Sequence, residues 1–286
     1  MPELPEVEIT VRTLKKYIIK QKIHDVTIFN ANLRYKIPSN LPKLLKNQTI
    51  DKIERRSKFI LFKTNRNTIL SHLGMTGRYI VKKKSLKLDT SFYNKQNIIK
   101  KHNHLLIQFK KFSIIYNDIR KFGFMKIYKN NTRFSKHLIN LGPEPLSKLF
   151  NYKYFDRKIK KRKLSIKNLL MDQKFVSGLG NIYVNEILFA SRINPNTSCL
   201  KLKKSQILRI LKFTKLILQS SIKKGGSTIL NYHNSEGRTG SYQSEFKVYN
   251  RTNNFCLTSG CNKKIIMNIV NGLSLIHISE PTRHES

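Results

Sequence analysis

Residues 104–129 read HLLIQFKKFSIIYNDIRKFGFMKIYK. Three short runs stand out in it, HLLIQF, SIIYND and FMKIYK, each rich in β-branched and aromatic residues and alternating in polarity. Turn-rich breaks separate them, and that pattern predicts antiparallel strands. Toward the start of the chain, IHDVTIF, QTIDKIERR, FILFKT and RYIVKK carry the same pattern back to about residue 23. The set predicts an antiparallel sandwich or barrel. Ahead of it, residues 5–20 space Val7, Leu14 and Ile18 at helical intervals, with Pro5 suited to a first turn. Beyond it, LGPEPLSK at 141–148 reads as a connection between domains. KNLLMDQKFV, NIYVNEILFASRI and SQILRILKFTKLILQSSIKK then read as helices, the second ended by Asn194–Pro195. Strand-like alternation returns from Tyr242. The expected fold class is α+β in two domains, an N-terminal antiparallel β-sandwich with a leading helix and a helical C-terminal domain.

The chain opens MPELPEVE. Small second residues permit removal of Met1, which makes Pro2 the terminus and gives it a secondary amine. An α-amino group titrates at roughly 7.7–8.0, so a useful fraction is nucleophilic at neutral pH. Attack of a secondary amine on a sugar C1′ yields an iminium that cannot lose its charge by deprotonation. Such an ion is a strong electron sink, as in Schiff-base enzymes, and Glu3 lies next to the amine. Read alone, the octapeptide fits a stiff solvated tail equally well.

The 286 residues suffice for one or two domains with a real core. Lys+Arg 56 against Asp+Glu 16 gives a formal charge of +40, which self-repels unless a polyanion is present. Nucleic acid is the leading partner, although the crowding of Lys, Ile and Asn typical of AT-rich genomes accounts for part of the charge. No apolar run reaches the ~18 residues of a membrane span. The early glutamates leave no room for a signal peptide. Cys199, Cys256 and Cys261 make no disulfide framework, so a reducing cytoplasm is expected. The Lys-rich patches at 82–87 and 158–163 read as solvated surface.

MPELPEVE, HLGMTGR (72–78), NDIRKFG (117–123), LGPEPL (141–146), GLGNIYVNE (178–186), INP (193–195), GGSTI (225–229) and VYNR (248–251) follow one another in this order. Over about residues 1–265 the chain thereby resembles the bacterial formamidopyrimidine-DNA glycosylases. Endonuclease VIII enzymes typically open Met-Pro-Glu-Gly-Pro, so Leu4 favours the oxidised-purine branch. The resemblance implies a catalytic β-sandwich over 1–135, a linker over 136–150, a helix–two-turns–helix DNA-binding domain over 151–240 and a zinc-finger hairpin over 241–272. It makes Pro2 the Schiff-base nucleophile, Glu3 the acid/base that assists sugar opening, and Lys58 the general acid of β-elimination. Glu6 orients the nucleophile or starts the helix with a favourable charge; the second reading is preferred.

An enzyme that extrudes a base must fill the hole it leaves, and the resemblance assigns this to Met75, Arg120 and Phe122, with Arg120 reading the orphaned base, typically cytosine. Ile119 stands where the family has Pro and Lys121 where it usually has Arg. His102 matches a DNA-contacting histidine; a metal pair with His104 is the alternative. Asn181 and Arg162 are implied backbone contacts, with Arg162 in place of a Lys and with Lys161 and Lys163 beside it. GGSTI with NYHNSEG (231–237) is implied to close over the flipped base.

The family's finger uses four cysteines and a hairpin Arg. Cys256 and Cys261 supply one pair at C-x4-C spacing, the second pair is missing, and Leu273 stands where the Arg is expected. Zinc therefore has half its ligand set, which His277 and His284 could complete only formally. The tail LSLIHISEPTRHES, free of Lys and Asn, resembles a translated sequencing adapter, so residues 273–286 are expected to be non-native. The resulting expectation is a monomeric glycosylase and abasic-site lyase of base excision repair. It acts on duplex DNA carrying oxidised purines or abasic sites, without a redox or nucleotide cofactor. Alternatives are an endonuclease VIII-like enzyme for oxidised pyrimidines and a catalytically impaired DNA-binding protein.

Overall fold

Pro5 and Glu6 occupy the second and third positions of the first helix, α1 (Leu4–Ile18), where a missing amide and a negative charge are both favourable. Glu6 closes the start of the helix by accepting the Glu3 amide at 2.9 Å. Val7, Val11, Leu14 and Ile18 form the buried stripe of α1 and join the main core cluster. The computed structural model describes residues 1–83, 100–130, 136–160, 162–227, 241–270 and 273–278, with backbone alone for 83, 136, 267–270 and 273–278.

The core against α1 comes from two antiparallel sheets. Strands β1 (Asp25–Ile28), β2 (Ile50–Arg56), β3 (Phe59–Thr64), β4 (Asn67–His72), β5 (Arg78–Lys83), β6 (Asn103–Gln108), β7 (Phe112–Asn117) and β8 (Phe124–Lys129) are ordered β1-β6-β7-β5 and β2-β3-β4-β8. A short helix, α2 (Leu41–Leu45), lies between β1 and β2. Ile53, Ile60, Phe62 and Ile69 of one sheet meet Tyr79, Leu105, Ile107, Ile114 and Tyr116 of the other in one apolar cluster. This is the sandwich that the alternation predicts, because a period of two sends every second residue inward. Tyr79, buried at its centre, donates to Ser71 Oγ at 2.8 Å, and burial pushes its phenol well up.

The chain divides into two compact units, residues 1–135 with 224–243, and 136–223 with 244–286. The second is built on α3 (Lys136–Ile139), α4 (Tyr152–Ile159), α5 (Ile166–Met171), α6 (Asn181–Ala190) and α7 (Lys204–Lys223), with β9 (Ile266–Val270) paired to β10 (Leu273–Ile278). Asn151 and Ser165 cap α4 and α5 through side-chain oxygens. The segment around LGPEPL packs into this unit. Gly142 donates to Gln173 O at 2.8 Å, and a side chain at Gly142 would stand 2.4 Å from Phe175 O. Residues 224–243, at the end of the stretch read as helical domain, belong to the first unit instead. Ser241 and Tyr242 donate to Lys224 O and Gly226 O, which closes the stem of that segment.

Glu186 holds the far end of the second unit together. Its buried carboxylate accepts the amides of Lys247, Val248 and Tyr249 at 2.9, 3.0 and 2.8 Å. Burial raises its pKa, and these amides only partly counter the rise. Glu186→Ala would leave the buried Val248 amide and the part-buried Lys247 and Tyr249 amides without their acceptor, so a loss of about 2 kcal/mol is expected in denaturant unfolding, with Glu186→Gln losing less.

Candidate active site

The amino terminus lies against a buried acidic and basic group. Pro2 is buried, Glu3 is 2% exposed and Lys58 is 7% exposed. Burial lowers the pKa of the terminal amine, which Met1 carries in the full chain. Glu3 and Glu6 oppose that fall, while Lys58 and Arg120 add to it. Lys58 shows the same balance, its ammonium lowered by burial against the pull of Glu3 and Glu6. Burial thus shifts the terminal amine toward its neutral form, the form that attacks, and weakens the hold of Lys58 on its proton.

Lys58 owes its place to a strained turn. It follows Ser57 in the two-residue connection of β2 and β3, where Arg56 pairs with Phe59. Ser57 has φ 56°, a left-handed conformation that costs a non-glycine residue roughly 1–2 kcal/mol. Arg55 holds the turn, its Nη1 donating to Ser57 O at 3.0 Å and its Nε to Glu8 Oε2 at 2.8 Å. Burial raises the Glu8 carboxyl, but hydrogen bonds from Arg12 and Arg55 outweigh it and hold the group below its ordinary value. Arg55 thereby ties the helix behind the amino terminus to the hairpin that bears Lys58.

Glu6 does more than start α1. Its Oε1 accepts both the amide and the hydroxyl of Ser227, each at 2.9 Å. The base of the GGSTI loop is therefore pinned beside Glu3, with Gly225 and Gly226 in left-handed conformations at φ 80° and 79°. Thr228, Ile229 and 231–237 lie outside the described residues.

The two loops expected to carry the wedge meet directly. A side chain at Gly74 would stand 2.4 Å from Gly123 N and Phe122 C, so the backbones touch. Met75 and Phe122 are 39% and 45% exposed at the tips, and the Arg120 guanidinium lies 4.8 Å from the Phe122 ring centroid. Neither residue is core. His102 sits in a short 3-10 turn ahead of β6, half-buried. His104 is fully buried, its Nδ1 and Nε2 facing Asn30 O and Asp118 O at 3.1 and 2.9 Å. Both of its nitrogens are occupied by carbonyls, so the pair does not make a metal site.

In the second unit Asn181 is the first residue of α6, behind Gly180, which lacks a capping side chain. The first-turn amides of such a helix have no internal acceptor and suit a phosphate; the buried Asn181 Oδ1 has no hydrogen-bond partner among the described residues. Arg162 pairs with Asp172 at 3.2 Å. Lys167, which the motifs did not single out, is buried, and desolvation lowers it to about 8. Lys161 and residues 84–87 lie outside the described residues.

Two thiols define the finger region. Cys256 is buried and hydrogen-bonded to Thr258 Oγ1 at 3.3 Å, and Cys256 N and Ile265 N close the hairpin onto Lys263 O and Asn254 O. Among the described residues no three His, Cys, Asp or Glu side chains come together to hold an ion. A structural zinc ion needs four ligands, so the donor set among the described residues does not fit one. Asn271, Gly272 and His284 lie outside the described residues, as does the His277 side chain.

Residues 1–125 match the family model for the formamidopyrimidine-DNA glycosylase N-terminal domain, and residues 141–232 match the model for that family's H2TH domain. A Dinoroseobacter shibae formamidopyrimidine-DNA glycosylase is 36% identical, the match covering 91% of this chain and 92% of the relative. A crystal structure of a Lactococcus lactis Fpg mutant with Fapy-dG-containing DNA superposes with a TM-score of 0.84 at 34% identity, over 96% of this chain and 97% of that one. Lactococcus lactis Fpg bound to DNA with an abasic site gives a TM-score of 0.83 at 34% identity over 96% and 97%. Among the described residues no helix is long and apolar enough to cross a membrane.

Proposed function

The chain belongs to the formamidopyrimidine-DNA glycosylase family, and from that premise we propose that it excises oxidised purines such as 8-oxoguanine through a Schiff base on Pro2 and then nicks the strand. The family makes it a DNA glycosylase of base excision repair. The observation that carries the finer reading is the burial of Glu3 and Lys58 around the amino terminus.

Once Met1 is removed, the Pro2 nitrogen attacks C1′ of the flipped nucleotide. The C1′–N9 bond breaks and the base leaves with a proton. Glu3 supplies the proton that O4′ needs as the sugar ring opens to an iminium. Loss of a C2′ proton then expels the 3′ phosphate, with Lys58 moving the proton in that elimination. A second elimination expels the 5′ phosphate, and water releases the sugar fragment from Pro2. Met75 and Phe122 fill the vacated stack, and Arg120 takes the orphaned base. His102, Asn181 and Arg162 bind phosphates, Arg162 by exchanging Asp172 for the backbone. The family's zinc would brace the finger; two thiols here fall short of holding it. The enzyme is proposed to act as a monomer.

Borohydride reduction of the iminium tests the reading. A covalent protein–DNA adduct is expected on an 8-oxoguanine duplex and on an abasic duplex, but not on undamaged DNA. Adducts confined to oxidised pyrimidines would favour an endonuclease VIII-like enzyme. No adduct from a folded sample would favour a DNA-binding protein without turnover.

A further inference from the structure

We propose that Asp118 is a positioning residue whose single buried carboxylate sets the register of both wedge loops and thereby the reading of the opposite base. The proposal rests on the glycosylase reading above for its consequence, not for its geometry. Asp118 is fully buried. Its Oδ1 accepts the Thr76 hydroxyl at 2.5 Å, and its Oδ2 accepts the Gly123 amide at 2.8 Å. One carboxylate therefore holds the loop of Met75 and the loop of Arg120 and Phe122. Its backbone extends the reach: the Asp118 amide donates to His102 O at 3.0 Å, and its carbonyl accepts from His104 Nε2 at 2.9 Å. All four proposed first-unit DNA contacts, Met75, His102, Arg120 and Phe122, thus hang from one residue or its immediate partners.

Thr76 makes the device directional. A hydroxyl has one hydrogen, and Thr76 gives it to Asp118. Its oxygen then accepts the Arg120 amide at 3.0 Å. Arg120 and Gly123 are held on either side of Lys121, which sits at φ 58°. A lysine there is strained by roughly 1–2 kcal/mol and persists only if its surroundings hold it. The Gly123–Asp118 bond and the relay from Arg120 through Thr76 to Asp118 do so. Ile119, where the family has proline, supplies no rigidity of its own, so the carboxylate carries that burden in this chain.

The test compares Asp118→Ala, Asp118→Asn and Thr76→Val with the parent chain. Thr76→Val removes only the relay to Arg120 and keeps the Asp118–Gly123 bond, so it stands in if Asp118→Ala does not fold. Single-turnover excision of 8-oxoguanine opposite cytosine should fall about 10²-fold in Asp118→Ala, the scale of a 1 Å misplacement. The preference for cytosine over adenine opposite the lesion should shrink about tenfold in both Asp118→Ala and Thr76→Val, the scale of one lost hydrogen bond to a charged group. Borohydride trapping on a single-stranded abasic oligonucleotide, which has no orphaned base, should change little. An unchanged cytosine preference, or single-strand trapping that falls in parallel, overturns the proposal. If the parent chain is inert on every lesion the glycosylase reading fails, and the hub is then judged in the free protein by amide NMR. The Arg120 and Gly123 amides should shift upfield together in Asp118→Asn; unmoved amides overturn the hub itself.

Discussion

A chain that keeps an extension ahead of Met1 should lose the borohydride-trapped adduct and lesion cleavage by about 10³-fold or more, because losing a nucleophile removes a whole catalytic route. In that chain the Pro2 nitrogen is an amide and cannot attack, and the nearest amine lies several residues away, each worth up to about 3.6 Å of reach. DNA affinity should change far less, since the phosphate contacts proposed in the second unit do not involve the terminus. Intact-mass measurement of both samples, followed by trapping on an abasic duplex, checks the outcome; an extended chain that still traps would remove Pro2 from the mechanism. The processed chain should also show a defined pH profile. Its active form is the neutral amine, so the rate rises with pH and levels off above the amine's pKa. Burial lowers the terminal amine that Met1 carries, and the same burial should lower the Pro2 amine, so the plateau should begin at a lower pH than for a solvent-exposed prolyl amine.

The sandwich is legible in the sequence because strand burial has a period of two, and short β-branched runs display it without reference to anything distant. The proposed catalytic pair and the proposed wedge residues are named by their motifs. The supports of those residues are not. Arg55 and Glu8 are separated by 47 positions and Ser227 and Glu6 by 221; nothing in either segment alone states that they meet. Asp118 sits inside a recognised motif, yet its identity reads as a turn-favouring residue until Thr76 and Gly123 are seen on its two oxygens. KHNH shows the same limit from the other side. Two histidines at i, i+2 suggest a shared ligand, but His104 on β6 turns inward to two carbonyls, while His102 lies half-buried in the turn ahead of that strand. The proline- and glycine-rich segment at 141–148 signals a connection, and the structure adds that Gly142 is there because Phe175 leaves no room for a side chain.

Lys58→Met should abolish most activity while leaving the fold at least as stable at pH 7. The activity loss is expected at about 10²–10⁴-fold, the range for removing a positioned proton-transfer group. The stability expectation follows from the direction of the Lys58 shift. Burial lowers its pKa in spite of Glu3 and Glu6, so the charged ammonium is less favourable in the folded chain than in the unfolded one. In the window between the lowered folded value and the ordinary 10.5, the unfolded state binds more protons, and the parent chain gains stability as pH rises. Below that window the penalty is present in full. Methionine keeps the unbranched volume without the charge, so the variant should match or exceed the parent in thermal unfolding at pH 7, and the difference should narrow toward pH 10. A variant much less stable at pH 7 would mean that Lys58 is held chiefly by its two carboxylates and is a structural ion pair. A variant that is stable and still active would remove Lys58 from the elimination step. Stability retained with cleavage lost is the signature of a group kept in an unfavourable place for the chemistry it performs.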